Sequence, residues 1–192
     1  MKTIGLFGGS FNPIHNGHIA LAKQLCDAEG LDELWFMVSP MNPFKQNQEL
    51  LEDKKRLELV ELAVQDDPRL VACDFEFSLP KPSYTYHTLK ALLKEHPDKK
   101  FILIIGGDNW LSFPHWYKHK EILEMVNVWV YPRPGYDLTE KKLEEGMRVV
   151  QAPLFNFSST DVRNAIRKGQ DTSEMLPEMV KNKIQQDKLY SR

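Results

Sequence analysis

Long apolar runs are missing from this 192-residue chain: the longest, Phe101 to Ile105, falls far short of the roughly 20 residues that span a bilayer. No transmembrane segment is expected. Cysteine is nearly absent, and Cys26 and Cys73 each lie in an apolar pattern, so free buried thiols are expected rather than a disulfide. No Cys-x-x-Cys or His-Glu-x-x-His occurs, and no structural metal is expected. An excess of positive charge is missing too: 25 Lys+Arg against 27 Asp+Glu leave −2. No global field is available to hold nucleic acid or an anionic membrane, so anions must be gripped locally. Lys2 is followed by Gly5, Gly8, Gly9 and Asn12 before any apolar stretch forms, which argues against a secretory leader and for the cytoplasm. Repeats, low-complexity tracts and linkers are also lacking, so residues 1–192 read as a single domain with its own core.

What is present is an alternation of short apolar runs with segments of helical period, the pattern of a parallel sheet built through crossover helices. The class is α/β, a doubly wound parallel sheet. Strands are expected at Thr3–Phe7, Glu33–Val38, Leu70–Asp74, Lys100–Ile105, Asn127–Tyr131 and Arg148–Gln151. Most lack polar alternation, which suits strands covered on both faces. Helices are marked by Ile19, Ala22, Leu25 and Cys26, by Leu57, Val60, Ala63 and Val64, and by a run from Thr85 that Pro97 stops. A later helix is capped by Ser158-Ser159-Thr160-Asp161 and closed by Gly169, and Pro177 opens a last one. Ser39–Glu49 and Asp108–His119 remain as long loops of the kind that carry function.

Candidate chemistry gathers at three places. The first strand runs into Gly8-Gly9-Ser10-Phe11-Asn12-Pro13 and then Ile14-His15-Asn16-Gly17-His18. Paired glycines at a strand's carboxyl end let backbone N–H groups approach a phosphate, and a helix N-terminus adds a favourable dipole. The residues do not spell a P-loop, a G-x-G-x-x-G dinucleotide turn or a G-x-S-x-G elbow, so Ser10 is a poor covalent nucleophile. His15 and His18, three apart, would face one space. The fourth strand ends in Ile105-Gly106-Gly107-Asp108, a second glycine pair followed by an acid suited to ribose hydroxyls; strands one and four would flank the topological switch point. The third place is Ser158-Ser159-Thr160 with Arg163 one turn on, where hydroxyls, helix N–H groups and a guanidinium suit a second anion site, although ordinary capping also explains the hydroxyls.

Together, the segment from Gly8 to His18 and Ser158-Ser159-Thr160-Asp161-Val162-Arg163 resemble the two signatures of the nucleotidyltransferases with the T/H-x-G-H motif. With Ser83-Tyr84-Thr85, Ile105-Gly106-Gly107-Asp108, Trp116, Arg133-Pro134-Gly135-Tyr136 and Leu189-Tyr190, the chain is similar throughout its length to the bacterial nicotinate-nucleotide adenylyltransferases. The resemblance implies a Rossmann-like fold. It also implies a reaction in which ATP, with Mg²⁺ and no tightly bound cofactor, joins nicotinate mononucleotide to give nicotinate adenine dinucleotide and pyrophosphate in NAD biosynthesis.

Carried over by position, His15, His18 and Arg163 would be catalytic. ATP would meet Gly8, Gly9, Ser10, Phe11, His15, His18, Gly106, Asp108, Ser159, Thr160 and Arg163. The mononucleotide would meet Ser10, Lys45, Thr85, Tyr86, Trp116 and Arg133, with Trp116 stacked on the pyridine ring. Trp110, Phe113, Tyr117 and Trp129 are read as core or lid residues. Three positions depart from the family pattern: Asn12 and His87 stand where Asp is common, and Phe44 where His precedes the lysine. Pantetheine-phosphate and glycerol-phosphate members share the first signature and are the alternatives within the superfamily. A nucleotide sensor and a hydrolase are the alternatives of other classes; the first has no reason to keep His15, His18 and Arg163, and the second lacks a residue to activate water.

Overall fold

The computed structural model describes residues 1–40, 50–136, 138 and 143–191. Six strands form one sheet: β1 Lys2–Gly9, β2 Glu33–Val38, β3 Leu70–Cys73, β4 Lys99–Gly106, β5 Asn127–Tyr131 and β6 Met147–Val149. Their order is β3-β2-β1-β4-β5-β6 and every neighbouring pair is parallel. The chain winds outward from β1 to β3, returns to β4 and winds out the other way, so the reversal falls between β1 and β4, where a doubly wound sheet opens a crevice.

Strand periodicity divides the core in two. Ile4 and Leu6 of β1, Phe101, Leu103 and Ile105 of β4, and Val128 and Val130 of β5 face one side. Phe7, Ile102, Ile104, Trp129 and Tyr131 face the other. The first side is covered by α3 Thr85–Glu95 through Leu89 and Leu92, and by Ile122 of α5 His119–Met125. The second is covered by α1 Asn16–Glu29, α2 Asp53–Val64, α6 Ser159–Arg167 and α7 Glu178–Gln186. Burial on both faces explains why the strands read as continuous apolar runs. Gly30 ends α1 at φ 75° and Gly169 follows α6 at φ 65°, the left-handed exit that glycine takes without a Cβ clash.

The expected elements are all found, with local shifts. The last strand is Met147–Val149 rather than Arg148–Gln151, because Met147 and Val149 pair with Val128 and Val130 and so fix the register. Cys26 is buried, but Cys73 is only half-buried, since β3 is an edge strand. The stretch read as a loop from Asp108 to His119 is largely taken up by α4 Gly107–Ser112, which starts one residue before it, and a 3₁₀ turn Phe113–His115. Trp110 and Phe113, three residues apart, are both buried in the core, and that apolar pair orders the segment. Trp129 is buried as well, whereas Tyr117 is exposed. Of the other long loop, residues 41–49 lie outside the described residues. Among the described residues no helix is long and apolar enough to cross a membrane.

Candidate active site

A cleft of about 620 Å³ opens beyond the carboxyl ends of β1 and β4. Gly8, Gly9, Ser10 and Phe11 form one wall. Among the described residues, apart from its chain neighbours, no atom lies within 4 Å of where a Cβ on Gly8 would stand, whereas one on Gly9 would sit 2.9 Å from the Phe11 ring. Phe11 holds φ 44°, an uncommon conformation for a bulky residue. Its ring is fixed edge-on against Phe7 at 5.5 Å and Phe36 at 5.4 Å, and this packing offsets the backbone strain.

His15 is the N-cap of α1, and its backbone N–H donates to His18 Nδ1 at 3.2 Å. That bond fixes the tautomer: with Nδ1 accepting, the neutral His18 ring carries its proton on Nε2 as a donor. The two rings stack at 3.6 Å and 21°, so the three-residue spacing does bring both to one place. Burial, and next to it the positive charge of Arg133, lowers the His15 pKa from 6.5 to about 4. His15 is therefore neutral at pH 7. Between those two values the unfolded chain binds a proton that the folded chain refuses, so stability falls as pH drops from 6.5 towards 4. The loss is on the order of 3 kcal/mol. Unfolding measured across this window is expected to show a shallower pH slope for His15→Gln; an unchanged slope would assign the effect to other groups.

The two sequence signatures are bonded to each other. Arg163 of α6 donates from Nη1 to the Asn12 carbonyl at 2.7 Å and from Nη2 to Thr160 Oγ1 at 3.2 Å. The Ser159 hydroxyl donates to the Pro13 carbonyl at 2.9 Å. Ser158 is spent on the cap: its N–H donates to Asp161 Oδ2 at 2.8 Å and its Oγ accepts from the Asp161 N–H at 3.3 Å. Asn12 Oδ1 accepts from the Leu51 N–H at 3.1 Å and from the Tyr190 hydroxyl at 2.9 Å. The N-termini of α1 and α6 thus both open on the cleft, with Ser159, Thr160 and Arg163 lining it, which concentrates N–H dipoles and cationic charge on one wall, an arrangement suited to an anion.

Across the cleft stand Gly106, Thr85, Trp116 and Arg133. Two expected neighbours do not line it. Asp108 turns instead onto Arg133, whose Nη1 donates to Asp108 Oδ2 at 3.0 Å. A Cβ on Gly106 would fall 2.6 Å from Asp108 Oδ1 and 3.0 Å from Arg133 Nε, so the glycine makes room for this ion pair. Tyr86 follows Thr85 on α3, where successive side chains diverge around the axis; its ring lies under the Lys118 ammonium at 4.5 Å and against Tyr117 at 5.8 Å. Lys45 lies outside the described residues.

Arg56, which sequence reasoning passed over, holds the wall in place. It is fully buried and donates to the carbonyls of Leu51 (2.8 Å), Ser10 (2.5 Å) and Ser39 (3.0 Å) and to Asp53 Oδ1 (2.6 Å).

Comparison with known proteins gives the family. The cytidylyltransferase-like family model matches residues 6–165. The chain is 49% identical over 183 residues to a protein of Bacteroides fragilis named as a nicotinate-nucleotide adenylyltransferase, covering 95% of this chain and 91% of that one. The chain belongs to the nicotinate-nucleotide adenylyltransferase family. A solved structure from Vibrio parahaemolyticus, titled with the same activity, superposes with TM-score 0.75 at 25% identity over 100% of this chain and 97% of that one. A Plasmodium falciparum nicotinic acid mononucleotide adenylyltransferase shares the fold at TM-score 0.80 and 19% identity, covering 99% and 98%.

Against the family pattern, Asn12 keeps a carbonyl oxygen that accepts from Leu51 and Tyr190, so the amide still serves the bonds a carboxylate would accept. His87 leaves α3 without an acid in its first turn and stacks on Tyr117 at 5.4 Å and 24°. The ring contact ties α3 to the segment that carries Trp116. Phe44 lies outside the described residues.

Proposed function

We propose that the protein transfers the adenylyl group of ATP to nicotinate mononucleotide, forming nicotinate adenine dinucleotide and pyrophosphate for NAD biosynthesis in the cytoplasm. The observation that carries this reading is the joining of the two signatures at one cleft, where Arg163 and Ser159 hold the Asn12 and Pro13 carbonyls of the turn that leads into His15 and His18. The mononucleotide's phosphate oxygen attacks the α-phosphorus of ATP in line. One P–O bond forms as the bond to the β-phosphate bridging oxygen breaks, and pyrophosphate carries away the electron pair. A phosphate monoester with a second pKa of about 6 is largely dianionic at neutral pH, so no general base and no enzyme-bound intermediate are required. The protein's contribution is alignment and charge stabilisation. His18 Nε2–H donates to the charge that develops on the α-phosphate and leaving oxygen. Neutral His15, stacked on it, holds that ring in place.

The donors at the cleft are backbone N–H groups, imidazoles, hydroxyls and guanidinium groups, a set that binds phosphate oxygens. Asp161 is engaged by the α6 cap, and Asp108 accepts from Arg133 through Oδ2 while its Oδ1 has no hydrogen-bond partner among the described residues. These residues fit Mg²⁺ that arrives held by the ATP phosphates, as Mg²⁺ commonly is, rather than in a cage of protein ligands. When bound, the ion neutralises phosphate charge. In this reading Trp116 stacks on the pyridine ring beside Thr85, and Lys45 and Arg133 meet the mononucleotide.

The test is pyrophosphate release from ATP and Mg²⁺ with nicotinate mononucleotide, nicotinamide mononucleotide and phosphopantetheine offered separately. Strong preference for the first supports the reading. Preference for another acceptor keeps the nucleotidyltransferase chemistry and discards the acceptor, and release with none removes the reading. Trp116→Ala is expected to raise KM for the mononucleotide on the order of tenfold through lost stacking and buried area and to leave KM for ATP near its wild-type value. A selective loss on the ATP side would reverse the assignment of the two halves.

A further inference from the structure

Glu76 is a buried carboxylate at the cleft, left out of every role above. It stands in the 3₁₀ turn Phe75–Ser78 that follows β3, is 6% exposed, and lines the cleft. Ser39 Oγ, at the end of β2, donates to its Oε2 at 2.5 Å, and Thr88 Oγ1, on α3, donates to its Oε1 at 2.8 Å. Ser39 and Thr88 also line the cleft, as do Thr85 and Trp116. Thr88 lies one turn beyond Thr85, so Glu76 belongs to the side of the cleft where the mononucleotide is placed.

The environment of this carboxylate is unusual in its charge. Among the described residues no lysine, arginine or histidine forms an ion pair with it. Burial pushes its pKa up, and only the two hydroxyl bonds oppose that shift. Carboxylates are rarely buried without a cationic partner, because two neutral donors replace hydration poorly. By contrast, Asp108 has Arg133 and Asp161 completes the α6 cap. A ligand that brings its own cation would compensate Glu76. The proposed acceptor does so: its ring nitrogen, bonded to ribose, is a quaternary pyridinium with permanent positive charge and no N–H to donate. The positive nitrogen of such a ring is recognised by charge and by aromatic faces.

We propose that Glu76 supplies the counter-charge for the pyridinium ring of the mononucleotide and selects for its cationic form, a role that rests on the functional reading above. Trp116 and Glu76 then divide the recognition of the ring between an aromatic face and a carboxylate. The competing account is a mechanical one, in which Glu76 only ties β2 to α3 through its two hydroxyl partners.

The experiment is calorimetric titration of the full chain with nicotinate mononucleotide, nicotinamide mononucleotide and the dihydropyridine form of nicotinate mononucleotide, in which the ring nitrogen is uncharged. Wild type is expected to bind nicotinate mononucleotide on the order of 10- to 100-fold more tightly than its dihydropyridine form. Glu76→Gln, which keeps the side-chain shape and one acceptor oxygen, is expected to erase most of that preference by weakening the pyridinium ligands while leaving the dihydropyridine within about twofold. Equal losses on charged and uncharged rings would establish the mechanical account and overturn the proposal, as would undiminished pyridinium binding. The wild-type ratio does not depend on the variant folding, and a ratio near one also overturns the proposal. Failure of wild type to bind either pyridinium mononucleotide would instead sink the functional reading, and the role of Glu76 with it.

Discussion

His18→Ala is expected to lower kcat for pyrophosphate release by on the order of 100- to 1000-fold, the usual cost of removing one donor aimed at developing charge. The fold is expected to survive. Among the described residues, His18 accepts a backbone bond from the His15 N–H and packs edge-on against Phe7 and Phe11. Losing the bond costs about 1 kcal/mol, which corresponds to a drop of about 2–4 °C in Tm for a chain of this size. The separation between a large kinetic and a small stability effect is the informative result. Measured kcat near the wild-type value would remove His18 from the chemistry. A collapse of Tm with the activity would make it a structural residue.

Arg56→Met is expected to give the opposite pattern, with its main effect on stability. The variant leaves the carbonyls of Ser10, Ser39 and Leu51 without that guanidinium and leaves Asp53 without its closest cation. Asp53 retains a longer contact with exposed Lys81 at 3.3 Å. Removing one partner of a buried charged network typically costs about 3–5 kcal/mol, equivalent to on the order of 10 °C in Tm here. Urea unfolding at pH 7 reads this directly, and a loss below about 1 kcal/mol would show that water or neighbouring side chains replace the guanidinium. Because Ser10 belongs to the wall of the cleft, the surviving folded enzyme is also expected to show a raised KM for its substrates.

The contrast between these residues explains what the sequence made visible. His15 and His18 were legible because a strand, paired glycines and a helix start fix their neighbourhood within a few residues, and local rules suffice. The strands were legible because burial on both faces writes itself as unbroken apolar runs. Arg56 was not: it follows Lys54 and Lys55 at the start of α2, where a basic run reads as a solvated face, and only the carbonyls of distant turns reveal that the third member is buried. Glu76 was hidden in a similar way, between Phe75 and Phe77, since nothing local indicates that Ser39 and Thr88 will converge on it. Asp108 and Tyr86 show a third case. Neither lines the cleft: Asp108 stands behind Gly106 and pairs with Arg133, which does line it, and the helical rotation of α3 turns Tyr86 onto Lys118 and Tyr117.

The donors that complete the first signature lie 146 and 151 residues further along, Ser159 to the Pro13 carbonyl and Arg163 to the Asn12 carbonyl. The turn after β1 is therefore synthesised well before the side chains that brace it. A nascent chain halted before α6 has already made all six strands, yet it lacks the hydroxyl and guanidinium that brace this turn. Premature termination or proteolytic loss of that helix would leave a sheet-forming fragment whose first turn lacks this brace, so the shape of the cleft wall depends on a helix far along the chain.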